Sequence, residues 1–408
     1  MFSYERLKDP GYFREKRLDA HSDHVAYASR EEMESGESSL YMPLNGVWKF
    51  FYARNEAQII PNFEAADYDC RSWTEIPVPA HIQMQGFGVP QYCNIQYPWD
   101  GHEEVPIGEI PNAFNPVACY VKYFYVPESL RGKRLFIYFQ GVESCVAVWL
   151  NGKYIGFSSD SFTPHEFELT DALEDGENKL ACRVYRFCAG SWIEDQDFMR
   201  FSGIFRDVWL YAIPETHIRD LRVKTLLDDD YRDATLDLRL RVEGKLRNTL
   251  NLCLSEGGKT VAVLERDALE SEMSFQIPIS DPKKWSAEHP NLYDLTIGIR
   301  NPEGETVEIV RQRVGFRRFE IKGGVMCLNG RRIVFKGVNR HDFCAETGRA
   351  VSPETIRRDL ITMKRGNINA VRTCHYPDHS ALYTLCDELG LYVIDETNIL
   401  NLQSMRKV

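Results

Sequence analysis

The chain has 408 residues, which at about 150 residues per domain predicts two to three domains. Hydrophobic residues make up 43% of it and aromatic residues 12%, enough to build those cores. Its 60 acidic and 49 basic side chains give a formal net charge of -11, which disfavours a phosphate backbone, so we exclude nucleic acid as a partner. The N-terminal residues are charged and no apolar run approaches the ~18 residues of a membrane span, so we expect a cytoplasmic protein without a membrane partner.

Residues 1–43 are predicted to be an N-terminal extension, and residues 44–213 a β-sandwich of the jelly-roll type. Residues 135–139 and 179–185 have the apolar character of strands. Between them lies Asn151-Gly152, the preferred pair for a type I′ hairpin turn, whose two central residues both need positive φ.

Residues 214–320 are predicted to form a second β-sandwich. Leu236, Leu238, Leu240 and Val242 alternate with polar residues, which is the pattern of a strand with one face in water. The length of about a hundred residues is typical of an immunoglobulin-like sandwich.

Residues 321–408 follow a different pattern, in which strands alternate with helices. Ser352, Pro353 and Glu354 supply an N-cap, a proline at the first helical position and an early acid, so a helix is predicted to begin there and to end at Gly366. This order is typical of a parallel sheet with crossover helices. The other predicted elements are strands at 333–338, 368–372 and 391–394 and a helix at 381–389.

The eleven cysteines are predicted to be free thiols. Their number is odd, no two form a Cys-x-x-Cys pair, and most lie in apolar surroundings, where a thiol behaves as a small hydrophobic group.

Polar residues follow each of the three predicted parallel strands. In a (β/α) barrel the carboxyl ends of the strands form the active site, whereas a single polar residue at a strand end is more often structural. Three successive polar strand ends on one face favour a binding site. These ends contain residues 339–342, 372–377 and 395–398.

Several long motifs resemble glycoside hydrolase family 2. Residues 369–377 (Asn-Ala-Val-Arg-Thr-Cys-His-Tyr-Pro) and 337–341 (Gly-Val-Asn-Arg-His) are similar to the family signature. Residues 194–208 and 92–98 resemble the bacterial lactose-cleaving β-galactosidases within that family. The resemblance covers nearly the whole chain, and also includes residues 44–50 and 285–293.

The resemblance implies a galactose-binding-like jelly roll, an immunoglobulin-like sandwich and the first β-α units of a TIM (β/α)8 barrel. The implied activity is hydrolysis of terminal β-D-galactose residues with retention of configuration. The resemblance also implies a set of substrate-binding residues. Asn94 and Asp197 match loop positions of the jelly roll that bind galactosyl hydroxyls, and His341, Arg372 and His375 match barrel residues that line the sugar pocket. A sugar presents many hydroxyls, so acceptors such as Asp and donors such as His, Arg and Asn suit it.

The chain also departs from the family pattern. The family's two catalytic glutamates, nucleophile and acid, lie on later barrel strands, so no catalytic residue is expected within this chain, and Glu396 is interpreted as structural. The family's magnesium ligands correspond to Leu400 and Leu402, which cannot bind a hard cation. We therefore expect no metal in this chain, although the resemblance implies magnesium and sodium for the full-length enzyme.

Two classes of function remain open. The first is a β-galactosidase-type enzyme, of which this chain is a fragment or one half, completed by a C-terminal polypeptide or a homo-oligomer. The second is a non-catalytic carbohydrate-binding protein. A β-glucuronidase is the alternative substrate class, but a glucuronidase needs cations for the sugar carboxylate, which residues 194–208 do not favour.

An early end to the barrel has a consequence for stability. Three parallel strands leave two edges unpaired and are expected to expose Ile333, Val334, Val371 and Val393, so protease is predicted to remove the chain after about residue 320.

Overall fold

A seven-stranded antiparallel sheet forms the centre of the N-terminal part of the chain. The computed structural model describes residues 2–401, apart from the side chains of Leu400 and Asn401. Asn151 and Gly152 have φ angles of 50° and 78°, so the predicted hairpin turn is confirmed. The strand order is Arg14–Glu15, Lys153–Ser159, Cys145–Leu150, Glu177–Tyr185, Val117–Tyr125, Gly46–Ala53 and Thr74–Val78.

A four-stranded sheet packs on one face of this sheet and completes what we call the first sandwich. Trp48 and Phe50 from the larger sheet and Ile137 and Leu210 from the smaller one belong to one buried core. The opposite face of the larger sheet is covered by the N-terminal residues and a long loop, in a second apolar cluster that includes Leu7. The smaller sheet has the order His165–Glu168, Arg134–Phe139, Val208–Ile213 and Tyr41–Pro43.

Short elements complete the first sandwich and reach its neighbours. Its single-turn 3-10 helices are Tyr4–Lys8, Glu56–Gln58, Ile82–Gln85, Glu128–Leu130, Thr170–Ala172 and Ala189–Trp192. Three two-stranded ladders pair Glu194–Asp195 with Leu400–Asn401, Phe198–Arg200 with Gln91–Cys93, and Gly203–Ile204 with Val142–Glu143. The first of these ladders is parallel and joins a loop of the first sandwich to the last described residues.

The second sandwich packs a three-stranded sheet on a five-stranded one. The side chains of Leu236, Leu238 and Leu240 are buried and their neighbours face outward, as the alternation predicts. The short strand Ala26–Tyr27 and the helix Arg30–Ser35 bring the N-terminal segment onto this sandwich. The sheet orders are His217–Leu227, Ala234–Glu243, Glu272–Ile279, and Ala26–Tyr27, Thr306–Val314, Tyr293–Arg300, Thr249–Glu256, Lys259–Arg266.

The last part of the chain contains the parallel unit, three parallel strands with two helices. Ser352 accepts a hydrogen bond from the Thr355 amide and so caps the first helix, and Gly390, with φ of 74°, ends the second. The strands are Gly337–Arg340, Ala370–Thr373 and Tyr392–Ile394, and the helices are Pro353–Arg365 and Ser380–Leu389. An antiparallel sheet of Phe319–Lys322, Val325–Leu328 and Arg331–Arg332 precedes it.

Two expectations about this unit were wrong. The strand predicted at 333–338 is observed at Gly337–Arg340. The preceding segment is instead hydrogen-bonded by the Asn369 side chain, which accepts from the Lys336 amide at 2.7 Å and donates to the Val334 carbonyl at 3.0 Å. Val371 is fully buried rather than exposed, because its side chain faces the core between sheet and helices.

The parallel unit is anchored to the second sandwich by polar contacts. The Trp285 indole donates to the Asp387 carbonyl at 2.8 Å, and Lys364 Nζ donates to the carbonyls of Ala287 and Gly390, both at 2.9 Å. All eleven cysteines are free thiols, as predicted. Within residues 2–401, no helix has the length and apolar character needed to cross a bilayer.

Candidate functional site

Asn94 and Asp197 lie at the end of a short ladder on the first sandwich. The strands Gln91–Cys93 and Phe198–Arg200 pair with Cys93 opposite Phe198, so Asn94 and Asp197 are the next residue on each strand. Cys93 and Phe198 are buried and fix the ladder. The Tyr92 hydroxyl donates to Asp197 Oδ1 at 2.5 Å.

The other predicted site residues lie at the carboxyl ends of the parallel strands. Arg340 is paired with Thr373, so His341 and the Cys374-His375 segment leave the sheet side by side. Arg372 is paired with Ile394, which places Glu396 two residues beyond it on the next strand. The register therefore brings all three strand ends to one edge of the sheet, as expected for parallel strands.

Direct contacts connect these strand ends. The rings of His341 and His375 meet edge to face with centroids 5.5 Å apart. His375 Nδ1 lies 3.3 Å from Glu396 Oε2, and Arg372 Nε donates to Glu396 Oε1 at 2.7 Å. Glu396 is thus held on both carboxylate oxygens.

The electrostatics of the cluster favour a neutral His341. Desolvation lowers the pKa of His341, and the neighbouring His375 and Arg349 lower it further, whereas Asp197 acts in the opposite direction. A neutral imidazole presents one donor and one acceptor. The ladder of the first sandwich meets these strand ends at the residues next in sequence, where the rings of Phe198 and Tyr376 have centroids 5.8 Å apart.

Three of the five predicted residues are therefore connected by direct contacts: His341 contacts His375, and Glu396 joins His375 to Arg372. Asp197 is linked to them through Phe198, the next residue, whose ring meets that of Tyr376. Asn94 is brought to the site by the ladder.

Sequence reasoning missed a buried charge cluster beside His341. Arg340 donates to Asp342 at 3.0 Å and to Asp378 at 2.9 Å, and Arg206 of the first sandwich lies 3.8 Å from Asp342. Burial, followed by the charge of Asp342, raises the pKa of Asp378. These residues fix the backbone on both sides of His341, and their pairing depends on contacts distant in sequence.

Asn398 was also missed, although it lies in a predicted strand end. Its side-chain amide donates to Asp160 Oδ1 at 2.8 Å, and Gln196 Nε2 donates to its carbonyl at 2.6 Å. Asn398 therefore ties the third strand end to the loop that carries Asp197.

A small polar cavity lies under this loop. Its volume is about 20 Å³, and its lining includes Glu143, Arg186, Glu194 and Arg200. This space suits one ordered water rather than a sugar.

The described residues offer no set of metal ligands. No three His, Cys, Asp or Glu side chains within residues 2–401 converge as a cation site. Leu402 and the Leu400 side chain, which stand at the expected ligand positions, lie outside the described residues.

The described chain thus consists of two β-sandwiches followed by β-α units whose polar strand ends meet a loop of the first sandwich. Sequence comparison identifies the family. Family models of the glycosyl hydrolases family 2 match at residues 41–214 (sugar binding domain), 216–317 (the family 2 domain) and 319–408 (TIM barrel domain). The chain belongs to glycoside hydrolase family 2.

Similar curated proteins are β-galactosidases. Those of Clostridium acetobutylicum and Streptococcus thermophilus are 46% and 48% identical over 409 and 397 residues, covering 100% and 96% of this chain. The chain spans 46% and 38% of their lengths. A β-galactosidase large subunit of Leuconostoc lactis is 39% identical over 98% of this chain and 66% of its own length.

A β-glucuronidase of Bacteroides uniformis has a similar fold. Its TM-score is 0.74 at 24% identity, with 88% of this chain and 42% of that chain covered. The coarse architecture predicted from the sequence, two β-sandwiches and the beginning of a barrel, is confirmed by the family matches and this likeness.

Proposed function

We propose that this chain supplies the sugar-binding side of a β-galactosidase-type active site, in an enzyme that hydrolyses terminal β-D-galactose residues with retention of configuration. The observation that carries the proposal is the contact of His341 with His375 beside the ladder that leads to Asp197, in a family whose similar members are β-galactosidases.

The proposed roles follow from the hydrogen-bonding capacity of each group. Asp197 accepts hydrogen bonds from sugar hydroxyls, and Asn94 both donates and accepts. His341, neutral because its pKa is lowered, can donate from one ring nitrogen and accept at the other. Hydroxyls need both kinds of partner, and this surface provides both without a buried apolar pocket.

The same geometry argues against Glu396 as nucleophile or general acid. A retaining glycosidase needs two carboxylates about 5 to 5.5 Å apart. Glu396 is bonded by Arg372 on one oxygen and lies against His375 on the other. We assign it to positioning Arg372 and His375, and we assign the catalytic pair to barrel strands that this chain does not contain.

A complementing polypeptide would complete the barrel. In the described sheet, Gly337–Arg340 and Tyr392–Ile394 each have one strand neighbour, so each offers an unpaired edge. Val334 and Ile394 nearby are 51% and 40% exposed. Two relatives, of Lactobacillus acidophilus and Leuconostoc lactis, are named β-galactosidase large subunits, and this chain covers 65% and 66% of their lengths.

The site does not favour a glucuronide. Its arginine, Arg372, is already paired with Glu396, and Asp197 would repel a sugar carboxylate.

Ligand selectivity tests the proposal. Saturation-transfer NMR with the purified chain should detect isopropyl β-D-thiogalactoside at millimolar concentration and not the corresponding glucuronide. Binding of the glucuronide in preference to the galactoside would contradict the assignment.

A further inference from the structure

Arg349 occupies an aromatic cage between the parallel unit and the first sandwich. Its side chain is 2% exposed. Its guanidinium carbon lies 4.3 Å from the ring centroid of Phe198, 5.1 Å from that of Phe201, 5.5 Å from that of Phe162 and 5.9 Å from that of Tyr376. Such contacts between a cation and ring faces are stabilising when water is excluded.

Hydrogen bonds hold the guanidinium in this cage. Arg349 donates to the Met199 carbonyl at 2.6 Å and to a carboxylate oxygen of Glu143. The other oxygen of Glu143 accepts from the Phe201 amide at 3.3 Å. Since an unpaired buried charge is costly, Glu143 and the rings together account for the buried position of Arg349.

Two of the ring partners of Arg349 are each next to a proposed sugar-binding residue. Phe198 follows Asp197, and Tyr376 follows His375. Tyr376 also stacks on Phe162, with ring centroids 4.0 Å apart.

Arg349 is connected to His341 as well. It ends a tight loop that begins at His341 and is closed by two backbone hydrogen bonds between Cys344 and Gly348, at 2.7 and 2.8 Å. Gly348 has φ of +65°, and an added Cβ would lie 2.9 Å from the His81 ring, so the loop sits directly on the first sandwich.

We propose that Arg349, with Glu143, is a positioning residue that sets Asp197, His341 and His375 in one arrangement for sugar binding. The proposal rests on the sugar-binding role of those three residues. One guanidinium contacts the neighbours of two of them and anchors the loop of the third, so its loss should disturb all three together.

The chemistry of the cage distinguishes arginine from lysine. A planar guanidinium stacks on rings while donating to two acceptors in different directions, whereas an ammonium is a compact charge on a flexible stem. Arg349→Lys therefore keeps the charge near His341 and loses the geometry. Arg349→Met removes both.

The control is Arg183→Met. Arg183 is also a largely buried arginine, pairs with Glu56 and Glu64, and lies over the Phe63 and Trp149 rings, but it belongs to the far side of the first sandwich. Three quantities are measured for each variant: galactoside affinity by NMR titration, the titration midpoint of His341 by imidazole NMR, and amide exchange of residues 197–201.

Arg349→Met is expected to weaken galactoside affinity about tenfold or more, the loss equivalent to one or two hydrogen bonds. It should raise the His341 midpoint, because a nearby cation is removed while His375 and Asp197 remain, and it should speed exchange in residues 197–201. Arg349→Lys should keep the His341 midpoint and still lose affinity. Arg183→Met should change none of the three.

Wild-type affinity and exchange in Arg349→Met, or wild-type affinity in Arg349→Lys, would overturn the proposal. If Arg349→Met does not fold, the galactoside affinity of Arg349→Lys alone tests the proposal. If the wild-type chain binds no galactoside, the proposed function fails, and the positioning role is then judged by the His341 midpoint and by exchange, neither of which needs a ligand.

Discussion

Tyr92 donates its hydroxyl to Asp197 Oδ1 across 2.5 Å, between two neighbouring strands of one ladder. This hydrogen bond raises the pKa of Tyr92 and fixes the direction of the carboxylate. The Asp197 carboxylate is therefore oriented before any ligand arrives, which reduces the entropy lost on binding.

Asp197→Asn is expected to weaken galactoside binding about tenfold to a hundredfold, because hydrogen bonds to a charged acceptor contribute ~1.5–3 kcal/mol. The substitution keeps the size of the side chain and an oxygen for Tyr92. NMR titration measures the affinity. Tyr92→Phe serves as the comparison and should weaken binding much less, since it removes the orienting hydrogen bond and leaves the charge of Asp197. Equal losses of affinity in both variants would assign the main role to Tyr92.

The chain alone is expected to hydrolyse no β-galactoside above background, because sugar-binding residues without a nucleophile and an acid cannot form or break a glycosyl-enzyme bond. A chromogenic galactoside provides the assay. Turnover by the purified chain that disappears in Asp197→Ala would show that a catalytic pair lies within it; turnover that persists in that variant indicates contaminating host enzyme.

Glu308 is expected to make the second sandwich less stable as pH rises. Its carboxyl is 1% exposed, and burial raises its pKa to about 8. Between the unfolded value near 4.3 and about 8, the folded state holds a proton that the unfolded state has released, so the free energy of unfolding falls with pH by up to about 1.4 kcal/mol per unit. Glu308→Gln should flatten this decline and raise the unfolding temperature near pH 8.

The measurement is thermal unfolding between about pH 6.5 and 8. The buried His24, whose pKa is lowered to about 4, destabilises the fold only on the acid side of this window. Glu303→Gln, at an exposed position on the same sandwich, is the control and should leave the pH dependence unchanged. An identical slope in Glu308→Gln and the wild type would mean that Glu308 is ionised in the fold.

Gly390→Ala is expected to detach the parallel unit from the second sandwich. Gly390 has φ of +74°, and a Cβ would lie 2.4 Å from the Ala287 carbonyl oxygen, which Lys364 also binds. Alanine at this positive φ costs ~1 kcal/mol of backbone strain, and the clash with Ala287 adds ~1–3 kcal/mol. Limited proteolysis should therefore cleave the variant after about residue 320.

The wild type should resist that cleavage, contrary to the expectation from sequence, because the unit is packed on both sandwiches. Gly324→Ala is the matched control: Gly324 has φ of +77° and no atom within 4 Å of an added Cβ, so it carries the backbone strain without the clash. Equal sensitivity of the two variants would show that the close contact with Ala287 is unimportant.

Local patterns in the sequence predicted much of the fold. The Asn151-Gly152 turn, the Ser352 cap and the alternation around Leu238 depend on neighbours within a few residues, and each is observed as predicted. The prediction of a strand at 333–338 was wrong because the Asn369 side chain, more than thirty residues away, forms the hydrogen bonds that a neighbouring strand would supply.

The site residues likewise differ in whether local sequence patterns could locate them. His341, Arg372 and His375 stand at strand ends that periodicity can locate, whereas Asn94 and Asp197 required the resemblance to a family. Arg349 carries no local signal, because Met199 and Glu143 lie 150 and 206 residues away in the chain.

A crystal structure of the chain soaked with galactose tests the central claim most directly. We expect one galactose at the strand ends of the parallel unit, with its hydroxyls within hydrogen-bonding distance of Asp197, Asn94 and His341. Galactose bound only elsewhere, or an empty site at saturating concentration with these side chains in place, would contradict the claim that this chain carries the sugar-binding side of the active site.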